Sequence, residues 1–145
     1  MKTSNSSIII DASIFAKWFL PDEHETTALK IKEDYVREDV AIYLPSIIFY
    51  EMNNLFRSAV TRTRITKKDA VQGLHNFLQL DFIVYEMEDL QEQILGKAID
   101  LDISSYDASY VVLAEYLRFR FYTTDEKLIK KAKSDYVLSL KSYDL

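Results

Sequence analysis

Asp11, Glu51, Asp107 and Asp125 are the acids whose surroundings point to chemistry rather than to solvation. Asp11 directly follows the apolar run Ile8-Ile9-Ile10. Glu51 falls one turn into the pattern that begins after Pro45-Ser46, with Ile47, Ile48 and Leu55 at i−4, i−3 and i+4, which sets it on or beside an inward stripe. Asp107 shares a stripe with Val111 and Ala114. An aspartate is a poor helix former and costly to bury alone, so that position asks for a partner. Asp125 follows Phe119-Arg120-Phe121-Tyr122 through Thr123-Thr124. Each acid also has a plainer reading. Asp11 suits an N-cap, Glu51 suits a rim position with its stem on apolar surface, and Asp125 can open the last helix. Ser104-x-x-Asp107 and Thr123-x-x-Glu126 have capping-box spacing. The four gain weight together, because several carboxylates in one place repel one another unless they are protonated or bridged by cations.

What the chain lacks narrows that chemistry. There are no cysteines, so a thiolate nucleophile and a cysteine metal site are excluded, and two histidines, His24 and His75, leave little for a histidine-rich metal site. Two glycines, Gly73 and Gly96, are too few for a phosphate-cradling glycine loop. Hard oxygen donors select Mg²⁺ or Mn²⁺, ions that activate a water, hold a scissile phosphate and stabilise a leaving oxygen. The net charge of −5 argues against a protein coated with basic surface for nucleic acid, while leaving room for a local site.

The elements that must position these acids are legible from period. Ile8–Ile10 reads as a strand buried on both faces. Val40 to Leu44, Phe82 to Tyr85, Phe119 to Tyr122 and Tyr136 to Leu140 read similarly. Helical patterns cover about Ser13 to Leu20, Glu23 to Arg37, Ser46 to Thr61, Thr66 to Leu80, Asp89 to Leu101, Ser105 to Leu117 and Asp125 to Lys133. Strands alternating with helices predict an α/β chain with a mostly parallel five-stranded sheet between helical layers. Its sites are expected at the carboxyl ends of the strands and the adjoining helix N-termini, where all four acids fall. A length of 145 residues without repeat or linker predicts a single domain over 1–145. The segment Met-Lys-Thr-Ser-Asn-Ser-Ser and the short apolar run after it are too brief for a signal core or a membrane span, so no membrane role and a cytoplasmic location are expected.

Ile8-Ile9-Ile10-Asp11-Ala12-Ser13 followed by Lys17-Trp18-Phe19-Leu20-Pro21 resembles the opening of PIN-domain proteins, particularly the VapC-type toxins of prokaryotic toxin–antitoxin pairs. Glu51 in Pro45-Ser46-Ile47-Ile48-Phe49-Tyr50-Glu51, Asp107 in Tyr106-Asp107-Ala108-Ser109-Tyr110 and Asp125 in Tyr122-Thr123-Thr124-Asp125 are similar to that family's remaining motifs. The resemblance implies a three-layer α/β/α PIN-like domain and a Mg²⁺- or Mn²⁺-dependent endoribonuclease. It also implies Asp11, Glu51, Asp107 and Asp125 as catalytic and metal-binding residues, with Ser13 and Thr123 as small polar residues supporting them. A small antitoxin protein and a homodimer are the expected partners. One departure from the family pattern is the turn Leu117-Arg118-Phe119, where relatives often carry glycine.

The densest basic stretch, Arg57, Arg62, Arg64, Lys67 and Lys68, suits contacts to RNA phosphates or, equally, a solvated face. Trp18 and most tyrosines and phenylalanines read as core or interface, since no alternating basic-aromatic motif is present. Two rival functions use the same acids. One is a PIN-domain RNA-processing nuclease without an antitoxin, and the other is a phospho-acceptor regulatory module. The second fits less well, because the strand Phe82 to Tyr85 leads into Glu86-Met87-Glu88 with no aspartate at once after it.

Overall fold

Strands β1 (Ser6–Ile10), β2 (Val40–Pro45), β3 (Ile83–Tyr85), β4 (Arg120–Thr123) and β5 (Val137–Ser139) form one sheet in the order β3-β2-β1-β4-β5. Every pairing is parallel, with Ile8 opposite Ile42 on one side and Arg120 on the other, and Ile10 opposite Tyr122. The computed structural model describes residues 6–144, so the first five residues of the N-terminal reading lie outside it. Among the described residues, no helix is long and apolar enough to cross a membrane.

The central strand explains its own sequence. Ile9 and Ile10 are wholly buried because β1 has a strand on each side and helices over both faces, so alternation of polar and apolar residues has no use there. Among the described residues, seven helices surround the sheet: α1 (Ala12–Phe19), α2 (Thr26–Val36), α3 (Ile48–Thr61), α4 (Lys67–Leu78), α5 (Gln91–Leu101), α6 (Ser105–Leu117) and α7 (Glu126–Ala132). α1 packs on α2 and α3, and α3 on α4, while α5 packs on α6, which rests on β2 and β4. The arrangement is a three-layer α/β/α sandwich, as the sequence predicts.

Aromatic side chains fill the layer beneath α1. Phe15 meets Trp18, Phe77 and Phe82 at ring separations of 4.9, 5.2 and 5.2 Å, and Trp18 donates its indole N–H to the Ala28 carbonyl at 2.8 Å. Such ring pairs are each worth about 0.5–1.5 kcal/mol beyond the area they bury. The expected helix from Glu23 to Arg37 starts later than the periodicity suggests. Pro21–Glu23 forms a separate 3-10 turn, and Glu25 caps α2 by accepting from Thr27 and Ala28 backbone N–H groups at 3.0 Å each. The helix expected from Asp89 likewise opens with a 3-10 turn over Glu88–Leu90.

Arg118, at the departure from the family pattern, closes α6 in the left-handed region with φ 59° and ψ 42°. A side chain there crowds the following carbonyl, and glycine escapes that cost. Arg118→Gly therefore stabilises the protein by about 0.5–1 kcal/mol, read as a higher urea midpoint. An unchanged or lower midpoint would show that the arginine side chain contributes more than its backbone costs.

Candidate active site

The strand order reverses between β1 and β4: the chain leaves β1 for β2 and β3, then returns to β4 on the other side of β1. At such a switch point a crevice opens beyond the strand ends, with nothing crossing it. Asp11 leaves β1 on one side of this crevice, and Thr123 and Asp125 leave β4 on the other. Thr123 Oγ1 donates to Asp11 Oδ2 at 2.6 Å and accepts from the Asp125 backbone N–H at 3.1 Å. Ser13 approaches from the first turn of α1. Its hydroxyl donates to Asp11 Oδ1 and accepts from the Thr124 N–H at 3.3 Å, while its own N–H meets Asp11 Oδ1 at 3.2 Å. Both Asp11 oxygens thus accept hydrogen bonds, Oδ2 from the end of β4 and Oδ1 from the first turn of α1.

Glu51 reaches the site from α3. Tyr110 Oη, on buried α6, donates to Glu51 Oε1 at 2.6 Å, and the Tyr110 ring stacks on Phe121 at 5.2 Å. Tyr110 is a site residue that sequence reasoning missed. Its signal was available, since a tyrosine three residues after Asp107 on an apolar stripe needs a partner for its hydroxyl. Asp107 sits half-buried in the first turn of α6, its N–H bound by Ser104 Oγ at 3.0 Å. Asp125 is exposed and caps α7, accepting from Leu128 N–H at 3.0 Å. The capping roles foreseen for Asp11 and Asp125 are real, and the same carboxylates also border the crevice.

The acids feel one another. Burial pushes the Asp11 carboxyl up to about 6; hydrogen bonds from Ser13 and Thr123 oppose the shift, and repulsion from Asp107 adds to it. Burial lifts Glu51 to about 7 against the Tyr110 hydrogen bond, with Asp11 and Asp107 reinforcing the rise. Asp107 is raised by burial and then by Asp125, opposed by Ser104. Among the described residues, none of the four acids is ion-paired to a Lys, Arg or His. Nor is any group of three or more Asp, Glu or His side chains gathered tightly enough to hold a metal ion as it stands. The donor chemistry nonetheless fits a hard divalent cation: the donors are oxygen alone, and Asp11, Glu51 and Asp107, raised first by burial, are raised further by neighbouring carboxylates whose repulsion a cation would relieve.

A pH-dependent stability follows. Glu51 titrates near 7 in the folded protein against an ordinary 4.5, so the folded state holds its proton through that window and the unfolded chain does not. Stability contributed by this group is greatest below about 4.5 and is lost as pH rises through about 7. Glu51→Gln keeps an acceptor for Tyr110 and removes the charge. In chelator, it raises Tm by a few degrees at about pH 8 and has no such effect near pH 4. A difference in Tm that is the same at both values would show that Glu51 titrates normally.

The basic residues divide. Arg62 and Arg64 line a groove of about 300 Å³ that also contains Glu51, Asn54 and Ser58. The Arg64 guanidinium is already held by Asp22 at 2.7 and 2.9 Å and by Glu23 at 2.6 Å. Arg57 and Lys67 line a different depression, with Phe56, Val60 and Leu74, and Lys68 is exposed on α4. The structure therefore brings Ser13, Thr123 and the acids to one edge but distributes the basic stretch over two surfaces.

A comparison with curated proteins gives no match. Among solved structures, PAE2754 from Pyrobaculum aerophilum superposes with a TM-score of 0.68 at 24% identity, over 96% of this chain and 86% of that one. VapC20 of Mycobacterium tuberculosis, described as a toxin that cleaves the sarcin-ricin loop, superposes with a TM-score of 0.58 at 16% identity, over 85% of this chain and 93% of that one. At these identities the likeness is one of fold. The PIN-domain family model matches residues 8–134.

Proposed function

The chain belongs to the PIN-domain family, and we propose that it is a Mg²⁺- or Mn²⁺-dependent endoribonuclease acting as the VapC-type toxin of a toxin–antitoxin pair. PIN domains are generally nucleases. The observation that carries the reading is the fixing of Asp11 across the switch point by Thr123 and Ser13, with Glu51 and Asp107 in its electrostatic field.

In this reading Asp11, Glu51, Asp107 and Asp125 hold the ion, directly or through water. When bound, Mg²⁺ or Mn²⁺ neutralises charge on the scissile phosphate and makes a water acidic enough to attack at neutral pH. The chain's own residues orient that chemistry. Thr123 and Ser13 keep Asp11 in one rotamer, so its donor geometry needs no reorganisation. Tyr110 occupies Glu51 Oε1 and leaves Oε2 as the oxygen available to an ion or to a proton from an attacking water. A pKa of about 7 suits proton transfer near neutrality, and activity through Glu51 rises as pH passes that value. Arg62, which lines the same groove as Glu51, is the basic residue this reading assigns to an RNA phosphate. The likeness in fold to VapC20, described as cleaving the sarcin-ricin loop, supports an RNA substrate; a small antitoxin partner, a homodimer and a cytoplasmic setting belong to the same proposal and rest on the sequence resemblance to VapC-type toxins.

The test is cleavage of cellular RNA by the purified chain. Fragments form with Mg²⁺ or Mn²⁺ and stop forming with chelator. RNA left intact with either ion, across near-neutral pH, overturns the proposal.

A further inference from the structure

A second cavity, of about 470 Å³, opens at the same sheet edge where the N-termini of α3 and α6 face α5. Tyr50 and Tyr106 stand at its wall, each the immediate chain neighbour of a site acid, Glu51 and Asp107. Both tyrosines are open to solvent, at 78% and 62% exposure. Ile94 forms part of the floor, and Glu86, Gln91 and Ser105 supply polar groups. Neither Lys nor Arg lines the cavity, so it does not suit a phosphate. It suits a flat, neutral group that stacks on one face and hydrogen-bonds along one edge. An unpaired nucleobase has that chemistry, and the volume lies in the range of small-ligand sites.

We propose that this cavity is a nucleobase subsite, seating one unpaired base of the RNA between Tyr50 and Tyr106 beside the acidic centre. Glu86 makes it selective. A carboxylate accepts hydrogen bonds and donates none, so it favours a base whose edge carries N–H donors. Guanine, whose N1–H and N2–H₂ groups match the two carboxylate oxygens, is bound best, and uracil, which offers one N–H flanked by carbonyls, is bound worst. The inference rests on the nuclease reading and adds the base that stands next to the cut.

The test uses short single-stranded RNAs that differ at one position, in two arms. In chelator, fluorescence anisotropy of the labelled oligonucleotides reads binding alone. With Mn²⁺, initial rates give KM and kcat. Tyr50→Ala and Tyr106→Ala each weaken binding and raise KM about tenfold, with kcat changed by less than about twofold. Glu86→Gln removes most of the guanine-over-uracil preference in both arms. Unchanged affinity and base pattern in all three variants overturns the subsite. So does a change from dimer to monomer in the tyrosine variants with RNA affinity intact, which would make the face an interface between copies. If the wild type binds guanine-bearing RNA in chelator but cleaves nothing with metal, the nuclease reading fails and the subsite stands. If it cleaves with no base preference, the reverse holds.

Discussion

Asp107→Asn lowers metal-dependent RNA cleavage by at least about a hundredfold, because a neutral amide in this position is a much weaker ligand for a hard cation than a carboxylate. The fold survives. Asp107 lies in the first turn of α6, whose stability comes from the buried run Ala108 to Ala114 and from the Ser104 cap on its own N–H. Asparagine is sterically equivalent and leaves that backbone bond intact. The substitution also removes one source of the repulsion that raises Asp11 and Glu51, so the metal-free variant is at least as stable as the wild type at neutral pH. Three measurements separate the outcomes: single-turnover cleavage, Mn²⁺ affinity by titration, and Tm in chelator. Full cleavage by a folded Asp107→Asn protein removes this residue from the site. Lost cleavage with a lowered Tm and unchanged Mn²⁺ affinity assigns it to helix capping instead.

Thr123→Val is expected to cut activity and metal affinity about ten- to a hundredfold, although Thr123 is not a proposed ligand. Its side chain is wholly buried at the end of β4, and valine has the same shape. The change deletes one oxygen, and with it the donor to Asp11 Oδ2 and the acceptor for the Asp125 N–H. Leaving buried partners unsatisfied costs about 1–3 kcal/mol of stability. The diagnostic lies in the pH profile. The Thr123 hydrogen bond holds the Asp11 pKa down, so its loss moves Asp11 further above about 6 and shifts the acidic limb of the activity profile toward higher pH. Thr123→Ser restores the hydroxyl and brings the limb back. A lowered Tm with an unmoved pH profile would show that Thr123 is only a packing residue.

The sheet was readable because its strands are β-branched or aromatic runs bounded by caps, and the burial of Ile8 to Ile10 on both faces leaves a sequence with no alternation. The four acids were readable by position, since strand ends and first helical turns are local features. Side-chain pairings between distant segments were not, apart from the support from Thr123 that the family resemblance implies. Tyr110 meets Glu51 across 59 residues, and Arg64 meets Asp22 across 42. Nothing in the run Arg57 to Lys68 shows that one of its arginines is already claimed by carboxylates. Periodicity also hid the break before α2, because Glu25 satisfies the first N–H groups of that helix without interrupting the polar pattern around it. The aromatic residues show the same division: Trp18 is core, as composition suggests, whereas Tyr50 and Tyr106 stand in solvent for reasons only the neighbouring elements reveal.

The bond from Thr123 to Asp11 closes a loop of 112 residues. Loop closure on that scale carries a large entropic cost, which is recovered only once β4 has docked against β1. During synthesis, Asp11 precedes by 112 residues the hydroxyl that holds it. A chain released before Phe119 would hold β1, β2 and β3 in sequence and still lack the strand that fixes its first carboxylate. The order of translation therefore sets when the site becomes competent: only after β4 has been made and docked, 112 residues beyond the carboxylate it holds.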